Sequence, residues 1–304
     1  MDFYIVGFPR SGTTLLTNRL NESLLVAIPP ETRFYAEFGY KKTLNLKVKQ
    51  LLKAERMKDV ISSETKLKPT DIVKGSSSEI LTKLILNWAE EKKIKYDLVG
   101  EKSPVHQLFL PKILKNEDAK IIYIIRNPVD TIQSVLNAGW GYTDIRKVAS
   151  LYRYRYSKIK KAFQNERLLK VRYEDLVSDM ENTIISIGSF LKVANREHKC
   201  ERMKNIAVPV WEKKWKNAST NEVEIKARNQ EIDNISMAIM RKICKEEGYE
   251  LGTINKNIVY AEFVYLIYKV NFEISALIKK LLSNFIDIEV IISNQTKVKI
   301  TKNE

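Results

Sequence analysis

Histidine and cysteine are nearly missing from this 304-residue chain, which holds two of each: His106, His198, Cys200 and Cys244. None stands at metal-ligand spacing, which argues against a zinc centre, and two cysteines make no disulfide framework. No apolar run approaches the roughly 18 residues that a bilayer span requires. The chain enters a strand-like run at Phe3 to Val6 with no basic flank leading an apolar segment, so no secretory signal is expected. A cytoplasmic protein with reduced thiols is the expectation. Internal repeats are also missing.

What is present is ordinary in amount and unusual in charge. Hydrophobic residues make up 44% of the chain, enough for a substantial core. The length suits one large domain, or one domain plus an appendage. The formal charge of +15 favours an anionic partner such as a phosphorylated small molecule, an acidic substrate, nucleic acid or an anionic membrane, although a Lys-rich surface kept for solubility would account for much of it.

Phe3-Tyr4-Ile5-Val6 reads as a buried strand, followed by a glycine-containing turn and a helix carrying Leu15, Leu16 and Leu20. Residues 41–78 read as short helices in a Lys-rich surface excursion. Helical spacing of Ile80, Leu81, Leu84, Ile85 and Trp88 is followed by a short strand at Leu98-Val99. Lys120 to Ile125 is the clearest buried strand, and its continuous β-branched character suggests cover on both faces. After a helix to about Asn137, residues 144–165 read as a long polar and aromatic helix. A strand over Leu168 to Tyr173 and a helix over 174–191 follow. Strands alternating with helices imply an α/β fold, a parallel sheet with helices on both faces. A helix over 232–248, an amphipathic helix or two over 256–286 and a strand-like stretch from Ile286 to Ile300 complete the pass. The division expected is an α/β domain over 1–253 and a mainly helical extension over 254–304, packed on that domain or on a partner.

The spacing Gly7-x-x-x-x-Gly12 after a strand and before a helix is that of a phosphate-binding P-loop, in which backbone N–H groups and the helix dipole face an anion. A nucleotide-triphosphatase loop carries Lys after its second glycine; here that place holds Thr13, and the loop's cation is Arg10. One arginine with the hydroxyls of Ser11, Thr13 and Thr14 suits a single terminal phosphate better than transfer between β- and γ-phosphates. A second anion site is offered by Arg126-Asn127-Pro128 at the end of the strongest strand, where open α/β sheets bind ligands, with Ser134 on the following helix.

The segment Pro9-Arg10-Ser11-Gly12-Thr13-Thr14 resembles the 5′-phosphosulfate loop of the sulfotransferases, in particular the branch with tyrosylprotein and many bacterial small-molecule sulfotransferases. The resemblance runs over roughly residues 1–220 by motif order. It implies that 3′-phosphoadenosine 5′-phosphosulfate (PAPS) is the sulfuryl donor, with no metal, held by Arg10, Ser11, Gly12, Thr13 and Thr14 at the 5′ end and by Arg126 and Ser134 at the 3′-phosphate. The branch often has an arginine four residues after that serine; here the place holds Ala138. Tyr173 matches a nucleotide-contacting position, and Lys214, in Trp211-Glu212-Lys213-Lys214-Trp215, matches a late lysine that closes over the nucleotide. Tyr173 equally fits a half-buried aromatic at a strand end, and Lys214 a basic helix start.

Sulfuryl transfer to an alcohol is an in-line displacement that needs a base for the attacking hydroxyl and cations on the sulfonate oxygens. Glu31, in Pro29-Pro30-Glu31-Thr32-Arg33, stands where the family branch places its catalytic glutamate. Lys102, in Glu101-Lys102-Ser103-Pro104, matches a lysine on the transferring group, and Arg10 serves the same charge. His106 ranks second as base. The expected acceptor is a small-molecule hydroxyl, ahead of an amine. Two other classes stay open. One is a P-loop kinase, opposed by Thr13. The other is a non-catalytic basic protein for an anionic partner, for which no clustered aromatic-basic motif for nucleic acid is found. The 256–286 stretch is expected to pack on its own domain or in a homodimer, ahead of lying on a membrane surface.

Overall fold

The computed structural model describes residues 1–61, 68, 70–138, 142–196, 232–251, 258–285, 291–292 and 298–299. In chain order the elements begin β1 (Phe3–Gly7), α1 (Thr13–Ser23), β2 (Val26–Ala27), α2 (Phe34–Phe38), β3 (Leu44–Lys47), α3 (Val48–Lys53), β4 (Ile72–Gly75) and α4 (Ser77–Glu91). They continue with β5 (Leu98–Lys102), α5 (Leu110–Asn116), β6 (Lys120–Ile125), α6 (Pro128–Leu136), α7 (Ile145–Ile159), β7 (Leu168–Arg172), α8 (Tyr173–Ser178) and α9 (Met180–Leu191). Last come α10 (Asn234–Glu246), α11 (Ile258–Phe285), β8 (Ile291–Ile292) and β9 (Val298–Lys299). The chain forms two compact units, Met1–Arg126 with Ile159–Ile225, and Asn127–Lys158 with Lys226–Glu304.

The first unit is built on a five-stranded sheet of order β2-β5-β1-β6-β7. Every neighbouring pair is parallel. Successive side chains of a strand point to opposite faces, and here both faces are dry. Phe3 and Ile5 of β1, Ile122 and Ile124 of β6 and Val171 of β7 join Leu16 and Leu20 of α1 and Ile184, Ile187 and Leu191 of α9 in one core cluster. Intervening residues face the other way: Tyr123 meets Phe163 of a 3₁₀ turn with ring centroids 4.9 Å apart, and Tyr4 shares a 2.6 Å hydroxyl hydrogen bond with Tyr35 of α2. The α/β class, the parallel sheet and its flanking helices are as the sequence pattern implies.

Three local readings differ. Within 41–78, β3 and β4 pair antiparallel around α3. The strand signal there was the short alternation Leu44-Asn45-Leu46-Lys47, with buried leucines and exposed polar residues. The 174–191 helix is two helices, broken at Asp179 (φ −142°, ψ 68°), whose carboxylate caps α9. Leu98–Lys102 is one strand, so Gly100, Glu101 and Lys102 continue it rather than turn away.

In the second unit α10 is capped by Asp233, which accepts from the amides of Ile235 and Ser236 at 3.0 and 3.1 Å. It buries Ile235, Ile239, Met240, Ile243 and Cys244. The amphipathic stretch is a single 28-residue helix, α11. One side of it is held to α7: Arg153 makes a bidentate pair with Glu262 (2.7 and 2.8 Å) and lies over the Tyr265 ring, and Lys158 pairs with Glu273 at 2.7 Å. The opposite side exposes Val259, Phe263, Leu266, Val270, Ile274 and Leu277. Among the described residues no helix is long and apolar enough to cross a membrane. The strand-like tail contributes the antiparallel pair β8–β9.

Candidate active site

β1, the middle strand, delivers the glycine loop. A Cβ on Gly7 would sit 2.5 Å from the carbonyl oxygen of Ile124, so the two backbones approach as only glycine allows. The loop turns through left-handed backbone at Arg10 (φ 72°) and Gly12 (φ 97°). It is closed by the Ser11 amide donating to the Phe8 carbonyl at 3.1 Å. Gly12 is the N-cap of α1, with no side chain capping the helix and no acidic residue in its first turn. An uncapped helix start presents amide donors and a positive dipole end. Beside it, the Ser11 hydroxyl is buried with no hydrogen-bond partner among the described residues. A buried, unsatisfied hydroxyl at an open helix start fits an anion as its partner, because leaving it without one costs about 1–3 kcal/mol.

Tyr173 and Arg126 reach the same place from the next two strands. A Cβ on Gly12 would lie 2.4 Å from the Tyr173 ring, so that ring packs on the bare glycine. The Arg126 guanidinium lies over the other partner of the contact, 4.5 Å from the Tyr173 ring centroid. Ser134 is buried on α6 in the second unit. Lys214 and the surrounding Trp211–Asn217 segment lie outside the described residues.

On the other side of β1, β5 ends in Lys102, whose side chain is 1% exposed and whose Nζ stands 3.8 Å from the Glu31 carboxylate. The expected base and the expected cation are thus neighbours. The adjacent Glu101 is fully buried and accepts hydrogen bonds from Thr32 Oγ1 at 2.7 Å and from Ser103 Oγ, while its other oxygen meets His106 Nδ1 at 2.8 Å. His106 Nε2 accepts the Tyr35 amide at 3.0 Å. Nδ1 therefore carries the ring proton, and neither nitrogen of this buried imidazole is open to an acceptor hydroxyl.

Gly12, Lys102, Arg126 and Tyr173 follow or close β1, β5, β6 and β7, which lie side by side in the order β5-β1-β6-β7. Parallel strands spaced about 4.8 Å apart bring all four ends to one edge of the sheet.

The sequence matches a model of the sulfotransferase family over residues 2–197. This chain belongs to the sulfotransferase family. Among solved structures, the sulfotransferase domain of the Synechococcus PCC 7002 olefin synthase is similar at 18% identity with a TM-score of 0.57, over 83% of this chain and 95% of that one. The sulfotransferase domain of the curacin biosynthetic pathway is similar at 18% identity with a TM-score of 0.55, over 83% and 98%. At that identity the likeness is one of fold. No curated protein matches the chain.

In this sulfotransferase the buried Glu101 is an acid that its neighbours hold in its charged form. Burial alone would raise its pKa, but the interaction with His106 and the hydroxyls of Ser103 and Thr32 outweigh burial and hold the carboxyl below its usual range. Glu101 went unnoticed in the sequence, as did Thr32 and Ser103. Their only signal was an acidic residue inside a strand, beside Lys102. Among the described residues no three His, Cys, Asp or Glu side chains gather as a metal site.

Proposed function

We propose that this sulfotransferase moves the sulfuryl group of PAPS to the hydroxyl of a small-molecule acceptor. The observation that carries this is the buried Ser11 hydroxyl, unpartnered among the described residues, at the uncapped start of α1, beside a left-handed Gly12 that Tyr173 covers. In this reading Arg10, Ser11, Gly12, Thr13 and Thr14 hold the 5′-phosphosulfate. Arg126 and Ser134 hold the 3′-phosphate, Tyr173 supports Arg126, and Lys214 closes over the nucleotide. PAPS supplies an activated sulfuryl group on a good leaving phosphate. Glu31 takes the proton of the acceptor hydroxyl as its oxygen bonds to sulfur, and Lys102 with Arg10 meets the negative charge as the bridging S–O bond breaks. Glu31 is preferred to His106 because both ring nitrogens of His106 are already engaged. No step calls on a metal.

A screen of acceptor classes with radiolabelled PAPS tests this. Label should pass to a hydroxyl compound with the native protein and fall by about 10²-fold or more in Arg10→Ala and Glu31→Ala. Transfer that survives both substitutions would refute the site. A cytoplasmic setting goes with a small, diffusible acceptor.

The uncovered side of α11 bears on partners. An interfacial helix needs a basic polar face. Here the charged side of α11 is mixed rather than basic: Glu262 and Glu273 pair with α7, beside the exposed Lys269. That supports self-association through α11 ahead of contact with a membrane.

A further inference from the structure

We propose that Glu101, acting with His106, is a positioning residue that fixes the Glu31 carboxylate against Lys102 by tethering residues 32–35 to the end of β5. The inference rests on the reading of Glu31 as the base.

Three consecutive backbone amides of that segment are each captured by a side chain, and each of those side chains is itself bonded to Glu101. The Arg33 amide donates to Ser103 Oγ at 2.9 Å, and Ser103 donates to the carboxylate. The Phe34 amide donates to Thr32 Oγ1 at 3.2 Å, and Thr32 donates to the carboxylate at 2.7 Å. The Tyr35 amide donates to His106 Nε2 at 3.0 Å, and the opposite ring nitrogen meets the carboxylate at 2.8 Å. Arg33 is held meanwhile in left-handed backbone (φ 53°), a conformation that an isolated Arg avoids and that surrounding bonds must maintain. Glu31 directly precedes Thr32, and Lys102 directly follows Glu101. Two rungs therefore lie side by side: Thr32–Glu101, which fixes the segment, and Glu31–Lys102, which faces the chemistry.

The network depends on an acceptor-only carboxylate. A glutamine at 101 could still accept from Thr32 and Ser103 through its carbonyl. Its amide would then face His106 Nδ1–H, donor against donor. His106 would relieve this by moving its proton to Nε2, and the Tyr35 amide would lose its acceptor. A base shifted by about 1 Å costs on the order of 10²-fold in rate.

The test is a kinetic cycle of Glu101→Gln, Glu31→Gln and the double variant, with Thr32→Val as a milder cut of the same tether. Turnover is read as release of adenosine 3′,5′-bisphosphate from PAPS with water as acceptor, and binding of adenosine 3′,5′-bisphosphate is measured beside it. The expectation is a kcat lowered roughly 10–100-fold in Glu101→Gln and less in Thr32→Val, with the dissociation constant of the bisphosphate within about twofold of native. In the Glu31→Gln background, Glu101→Gln should cost nothing further, because a residue that acts only through another has no effect once that other is gone. Losses that multiply in the double variant, or equal loss of bisphosphate binding, would overturn the positioning role. Full turnover in Glu31→Gln alone would instead refute the base assignment. If Glu101→Gln does not fold, Thr32→Val in the two backgrounds decides the matter by the same criterion.

Discussion

Replacing Gly12 by alanine separates backbone strain from loss of the anion site. An L-residue at φ 97° costs about 1–2 kcal/mol, since its Cβ crowds the neighbouring carbonyl. The new methyl would also sit 2.4 and 2.9 Å from two atoms of the Tyr173 ring, too close to be absorbed without moving that ring. Overpacking of this kind adds roughly 1–3 kcal/mol. Gly39→Ala is the control. Gly39 (φ 78°, ψ 166°) lies in a different glycine-favouring region of backbone, and its nearest atom would be the flexible Lys41 Cε at 3.4 Å, so it carries strain with little clash. In urea unfolding, Gly12→Ala should lose about 2–5 kcal/mol and Gly39→Ala about 1–3 kcal/mol. The ring that moves is also the platform under Arg126, 4.5 Å away. Displacing one charge-assisted contact to a phosphate is worth about 1.5–3 kcal/mol, so calorimetric titration should show adenosine 3′,5′-bisphosphate binding roughly 10–100-fold weaker in Gly12→Ala and unchanged in Gly39→Ala. Native affinity in Gly12→Ala would refute the link from Gly12 through Tyr173 to Arg126.

Acid should act on the fold through Glu101. Its folded pKa is depressed, so its contribution is complete above the ordinary carboxylate range of about 4.3 and is lost as pH falls below that towards the folded value. Urea midpoints measured from pH 7 down to 3 should fall on the acid limb, and more shallowly in Glu101→Gln; parallel limbs would show that other carboxylates carry the effect. Self-association through α11 should weaken when Val270 or Ile274, near the middle of the exposed stripe, is replaced by Glu. Light scattering should then report the monomer mass at concentrations where the native chain is larger. A native chain that stays monomeric but co-sediments with anionic vesicles would give the stripe to a membrane instead.

How much of this could be read from residues alone follows from the sequence distance over which each feature is decided. The glycine loop is local. An apolar run, two glycines five apart and a helix pattern determine the strand, the turn and the open helix start, and the sheet then places Gly12 without further instruction. That Arg126 and Tyr173 come to the same edge was legible for a related reason: each sits within two residues of a strand end, and parallel strands carry all such ends to one edge. The choice between Glu31 and His106 is different. It turns on what the imidazole touches, and its partners are five residues away at Glu101 and 71 away at Tyr35. Nothing in the spacing of Glu-Lys-Ser-Pro-Val-His says that the histidine's second nitrogen meets a backbone amide of α2. For the same reason nothing in the sequence singled out Glu101, since its partner Thr32 lies 69 residues earlier. Chemistry carried by strand ends can thus be inferred from order along the chain. Chemistry governed by which lone pair is already occupied needs the folded structure, and in this sulfotransferase that second kind separates a candidate base from its support.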